Sequence, residues 1–213
     1  MIIATIIFIV VSIIIFTEWI PRTIAAIGGT ALMVGVGIYA GFYSEELAIE
    51  AIDFHTVGLL LGMMTLVALL QPTGFFEFIA TWVGRTSKGK PVLLLILLGT
   101  VTTVLSMLLD NVTTVVIIAP VAVLISEILG MSAVPLLMGL ALLSNTGGTG
   151  TLIGDPPNIL IGSAAALSFN DFLVNSLPVV IVAWLVVLGL MLFLFRKELA
   201  KEPENAESVQ KLN

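Results

Sequence analysis

The chain reads as long apolar runs cut by short polar breaks. A membrane-spanning helix needs about 20 mostly apolar residues. The first run, 2–19, stops at Pro21-Arg22. The second, 23–41, carries Gly28, Gly29, Gly35 and Gly37, small residues that let helices pack closely in lipid. Residues 42–55 hold Glu45, Glu46, Glu50 and Asp53 and predict a polar loop or short surface helix. A short third run, 56–71, ends at Gln71-Pro72-Thr73-Gly74. The stretch 75–84 is amphipathic, with Trp82 suited to a membrane interface, and a basic turn with Arg85, Lys88 and Lys90 follows. Two apolar arms, 91–109 and 112–129, meet at Asp110-Asn111. A further run, 135–167, is interrupted in its middle. The last span is 178–196, and 197–213 is a polar, charged tail of disordered composition.

Composition removes the soluble alternative. Of 213 residues 59% are hydrophobic and 10% charged, against about 45–50% and about 25% in soluble domains. Mean hydropathy is +1.19. Such a chain needs the bilayer as its solvent. It has no cysteine, which excludes disulfides, thiolate metal sites and cysteine nucleophiles. The N-terminus has no basic segment and no small-residue cleavage site, so the first run is expected to be retained. With five crossings, and the double arm entering and leaving on one side, all eight Lys and Arg fall on one face. The positive-inside rule makes that face cytoplasmic, with the N-terminus outside and the C-terminus inside. The expected location is a prokaryotic inner or plasma membrane.

Two breaks carry the candidate chemistry. The run 135–167 is too long for one span and too short for two. Its middle, Ser144-Asn-Thr-Gly-Gly-Thr-Gly-Thr-Leu-Ile-Gly-Asp-Pro-Pro-Asn158, predicts one crossing made of two half-helices joined by an unwound loop. Pro156 and Pro157 suit the first turn of the second half-helix. Freed carbonyls, Thr and Asn side chains and Asp155 there can replace the water shell of a small cation, and a half-helix N-terminus can hold an anion. The glycines expected to unwind the helix are Gly147, Gly148, Gly150 and Gly154. Asp110-Asn111, flanked by Thr102, Thr103, Thr113 and Thr114, is either the tip of a re-entrant hairpin or a solvated turn between two full spans. Asp110 and Asp155 are the deepest acids, and no Lys or Arg is expected beside them. Such a pair suits a site that alternates between protons and a metal cation. Glu77 and Glu127 read as interfacial, and so does His55. Asn111-Val-Thr113 matches a glycosylation sequon, a short and unspecific motif.

Leu108-Leu-Asp-Asn-Val-Thr-Thr114 followed by Asn145-Thr-Gly-Gly-Thr-Gly-Thr-Leu-Ile-Gly-Asp-Pro-Pro-Asn158 resembles the ArsB/NhaD permeases of the ion-transporter superfamily. That family takes in arsenite permeases, D-type sodium–proton antiporters and the melanosomal P protein, with citrate transporter-like domains. The resemblance covers nearly the whole chain. It implies an all-α inverted-repeat fold, here one repeat, with scaffold helices, a re-entrant hairpin over 91–129 and a broken helix over 135–167, working by an elevator-type motion. Carried over, Asp110, Asn111, Thr113 and Thr114 are tip residues. Ser144, Asn145, Thr146, Gly147, Gly148, Thr149, Gly150, Thr151, Gly154, Asp155, Pro156, Pro157 and Asn158 line the unwound loop. Sodium is expected at Asp110, Asn111, Asn145 and Asp155. Related dicarboxylate carriers have neutral residues where this sequence has its two acids, which argues against a citrate-like dianion as substrate.

The expected function is a half-unit of a secondary transporter rather than an enzyme, with sodium–proton antiport leading and arsenite or another anion second. Na+ or H+ is the coupling ion and no other cofactor is expected. The expected partners are the lipid bilayer, a second transporter half and further copies in an oligomer, with no nucleic acid. An intramembrane aspartyl protease would need Gly-x-Gly-Asp, where this chain has Leu152-Ile-Gly-Asp155. A non-transporting membrane subunit is the third class. No Gly-Lys-Ser/Thr follows the glycines, so a phosphate-binding ATPase loop is excluded.

Overall fold

The computed structural model describes residues 2–200, and every regular element among them is helical. They fall into two compact units, Met1–Phe54 and His55–Asn213. Among the described residues four helices are long and apolar enough to cross a membrane: Arg22–Tyr39, the run Phe54–Thr73, Asn111–Leu129 and Phe169–Leu194.

In the first unit α1 (Ile2–Thr17) packs on α2 (Arg22–Tyr39). Glu18, at φ 54°, turns the chain between them, and its carboxylate pairs with Arg22. Gly29 makes the close approach possible, since a Cβ there would lie 2.6 Å from both methyls of Val11. Gly37 does the same against Tyr43, whereas Gly28 and Gly35 face open space. The polar segment forms a short helix, α3 (Glu45–Glu50), started by the Ser44 hydroxyl accepting from Leu47 N–H.

In the second unit α4 (Phe54–Leu70) ends in a 3₁₀ turn, Gln71–Thr73, and Gly74 in the left-handed region starts α5 (Phe75–Thr86). The amphipathic reading of α5 holds: Phe76, Ala80 and Val83 are buried while Glu77 and Arg85 are exposed, with Trp82 exposed beside them. The basic turn then leads to Pro91, which opens α6 (Pro91–Ser106). A four-residue turn, 107–110, joins α6 to α7 (Asn111–Leu129), which stops at left-handed Gly130. Then come α8 (Val134–Gly148), α9 (Pro156–Ala164), α10 (Phe169–Leu194) and α11 (Arg196–Leu199).

The main core lies among Leu94, Leu95, Ile125, Leu136, Leu140 and Met191. It therefore joins the first halves of α6 and α8 to the last halves of α7 and α10. Leu199 also enters it. Arg85, Lys88, Lys90, Arg196 and Lys197 flank this core, so the Lys and Arg among the unit's described residues gather at one end.

Helices α6 and α8 run parallel in a fixed register. A Cβ on Gly139 would meet Leu95, one on Gly99 would meet Leu143, and one on Gly147 would meet Thr103. Each pair is 44 residues apart, as are Thr151 and Met107, joined by a hydrogen bond. A small residue thus faces a larger one at every fourth position, the spacing of one helical ridge.

Three expectations are corrected. The last helix begins at Phe169, not 178: Ser168 and Asp171 form a capping box that starts it in the gap left between the runs 135–167 and 178–196, and Pro178 sits inside it. Leu199 belongs to the core, so the polar tail begins later than 197, and residues 201–213 of that tail lie outside the described residues. Helix α8 continues through Ser144, Asn145, Thr146 and Gly147 to Gly148, so these residues are its last turns and not unwound chain. None of Gly147, Gly148, Gly150 and Gly154 has positive φ. These glycines serve close approach, as Gly147 shows against Thr103.

Candidate functional site

The hairpin turn 107–110 docks on the break between α8 and α9. At the end of α6, the Ser106 hydroxyl donates to the Ser144 carbonyl at 2.8 Å, and Thr103 Oγ1 donates toward the Leu143 carbonyl at 3.2 Å. The Thr151 hydroxyl donates to the Met107 carbonyl and accepts from Gly154 N–H at 3.1 Å. A Cβ on Gly154 would lie 2.5 Å from the Gly148 carbonyl oxygen and 2.8 Å from that of Ser106. Only glycine lets the break fold so tightly against the hairpin.

Two helices begin at this junction, each with an aspartate as its N-cap. Asp110 Oδ1 accepts from Thr113 N–H at 2.8 Å and starts α7, and the Thr114 hydroxyl returns to the Asp110 carbonyl. Asp155 precedes α9, with Pro156 and Pro157 in its first turn as expected. Its carboxylate caps nothing and makes no hydrogen bond among the described residues. The partial positive charge at each helix N-terminus offsets part of the cost of holding a carboxylate in apolar surroundings. The two carboxylates are near enough to be coupled electrostatically. Among the described residues neither has a Lys, Arg or His at ion-pair distance.

Asn111 Nδ2 donates to Asn145 Oδ1 at 2.6 Å and ties the start of α7 to α8. Asp110, Asn111, Asn145 and Asp155 are thus brought to one junction, with Asp110, Asn111 and Asp155 half-buried and Asn145 exposed. The other expected residues divide by what their polar atoms already do. Ser144, Thr151, Asn158 and Thr114 are buried and hydrogen-bonded within the protein. Thr146 and Thr149 bond backward to the carbonyls of Leu142 and Thr146. Thr113 contributes its backbone N–H to the cap, and Gly150 packs beneath Met107. The expected set did not contain Thr103, Ser106 or Met107. Thr103 and Ser106 lie on the face of α6 marked by Gly99, and that three-to-four residue spacing of small and hydroxyl residues is their sequence signal.

Comparison with known proteins agrees with this architecture. A family profile described as "Citrate transporter" matches residues 12–211. The chain belongs to the citrate transporter family. Within reach of that family it is similar to a "46 kDa membrane protein" of Mycobacterium leprae, 43% identical over the whole chain and 49% of the relative. An uncharacterized transporter of Mycobacterium tuberculosis is 42% identical over the same shares. The human P protein is 36% identical over 91% of this chain and 24% of its own length. The chain therefore spans about half the length of the mycobacterial relatives or less of the others. Its membership in the citrate transporter family, its apolar helices and its membrane-protein relatives make it an all-helical membrane protein of a transporter family.

Proposed function

We propose that this chain supplies one half of a cation-coupled secondary transporter, with Asp155 as the carboxylate that exchanges a proton for sodium. The observation that carries the reading is the free Asp155 carboxylate at a helix break that is itself closed by the hairpin turn bearing Asp110. A carboxylate in the membrane is costly unless it works with an ion or proton. Asp110 Oδ2, the Asn145 side-chain oxygen and loop carbonyls would complete an oxygen shell of the kind a small cation takes.

Depth supports the same reading. Helix α8 has 15 residues, about 22 Å at 1.5 Å per residue, against a hydrocarbon core of about 30 Å. Its start lies at the basic end and its far end meets the hairpin turn. If the basic end is cytoplasmic, both polar elements lie inside the bilayer and the hairpin is re-entrant. The N-terminus then faces outside and the C-terminus the cytoplasm. The unit also exposes Val57, Leu61, Val179 and Val186 to lipid or to a partner half. That half is expected as a further segment or subunit, since the chain covers about half of its mycobacterial relatives.

A second reading, transport of arsenite or another small anion, draws on the two helix N-termini that converge here. The two carboxylates oppose it, and they oppose a citrate-like dianion more strongly, because like charges repel at close range. The deciding experiment is a thermal melt of the purified protein in sodium against choline, at equal ionic strength. Sodium at about 100 times its dissociation constant stabilises by about 2.7 kcal/mol. The reading expects a sodium-specific rise that Asp155→Asn loses. A rise kept in that variant, or one given only by oxyanions, contradicts it.

A further inference from the structure

We infer that Thr151 and Asn158 are positioning residues, a strap that fixes Asp155 relative to Asp110 without touching the transported ion. The inference rests on the reading of the two aspartates as the ion site. Both residues fall in the stretch expected to line the loop as ligands, yet the structure gives their polar groups other work.

Asn158 is buried in the first turn of α9. Its amide nitrogen donates to the Gly148 carbonyl at 2.8 Å and to the Thr151 carbonyl at 2.9 Å. Both hydrogens of the amide are used. The Gly148 carbonyl is one of the orphan acceptors at the end of α8, so Asn158 closes the end of one half-helix from the start of the next. Thr151 carries the link onward. Its hydroxyl spends its single proton on the Met107 carbonyl, in the hairpin turn, and accepts from Gly154 N–H. Met107 lies three residues before Asp110 and Gly154 immediately before Asp155. The path from α8 through α9 to the hairpin therefore runs through two side chains, and its Thr151 hydroxyl bonds both the residue adjoining Asp155 and the hairpin turn that carries Asp110.

A buried donor without its acceptor is costly in low dielectric, so the strap holds one geometry. Asn158→Asp distinguishes strap from ligand. A ligand position would gain from a carboxylate, whereas the strap loses both donors and sets a charge against two carbonyl oxygens.

The test measures geometry and needs no ion. The chain has no cysteine, so two spin labels can be placed specifically at Val112 on α7 and Leu160 on α9, exposed by 67% and 53%. These sites report on the two helices that the aspartates precede. Pulsed electron spin resonance on the reconstituted chain should give one narrow distance distribution. Thr151→Val and Asn158→Asp should broaden it at least two-fold, and Thr151→Ser, which keeps the hydroxyl, should restore it. Melting temperature is followed in parallel, since a merely structural role would lower it and leave the distribution of the folded protein narrow. A narrow distribution in both variants overturns the inference. The sodium melt judges the ion site separately. Broadening without any sodium effect in the parent protein leaves the strap standing and sinks the sodium reading.

Discussion

Gly147 of α8 faces the backbone of Thr103 of α6 so closely that a Cβ on the glycine would lie 2.2 Å from the Thr103 carbonyl oxygen. The obstacle is main chain and cannot rotate away. Gly147→Ala is expected to cost about 1–3 kcal/mol, the usual range for overpacking. Gly62, with nothing within 4 Å of its ideal Cβ, is the control. Gly62→Ala should be neutral or stabilising by up to about 1 kcal/mol, the helix propensity difference. Thermal or denaturant unfolding in detergent compares the two.

Asp110 has a structural task as well as the proposed ionic one, because its Oδ1 caps α7 through Thr113 N–H. Asp110→Ala should cost about 0.5–2 kcal/mol, whereas Asp110→Ser, which can still cap, should fall within a few tenths of the parent. Both should lose the sodium-specific stabilisation. A sodium response intact in Asp110→Ser would remove Asp110 from the site.

Val112 follows the hairpin turn and is 67% exposed in the chain by itself. A re-entrant hairpin places it within the bilayer or the partner half. A single cysteine at 112 should therefore react slowly with membrane-impermeant thiol reagents added from outside. Rapid labelling from outside would show two full spans instead.

The start of α10 is open to a local test. The Ser168–Asp171 capping box predicts slow amide exchange over the first turns after Phe169. Ser168→Ala should release these amides at a cost of about 1 kcal/mol. Fast exchange at 172–177 in the parent protein would contradict the early helix start.

Most helices, the paired arms α6 and α7 and the break before α9 were legible because each follows from a local signal: run length, proline at a helix start, or a polar break in apolar sequence. Pro156-Pro157 placed α9 correctly for that reason. The glycines of 147–154 misled on conformation because sequence does not say whether a glycine is present for φ or for space. Here the answer came from α6, more than 40 residues away, whose Thr103 and Ser106 need Gly147 and Gly154 opposite them. The capping box at Ser168 was missed because Asn170, Asp171 and Asn175 break the apolar run from which the last helix was read. Whether Asn158 or Thr151 faces the ion or the backbone also depends on tertiary partners, and no local pattern encodes it.

The central claim is that Asp155 couples sodium to protons. Its most direct test is sodium-induced proton movement in everted membrane vesicles containing this chain together with a second transporter half, read with a pH-sensitive dye. The account predicts sodium-dependent alkalinisation of the vesicle interior, initially acidified, that Asp155→Asn abolishes at equal protein level. Sodium-driven proton movement of parental size in that variant would contradict it.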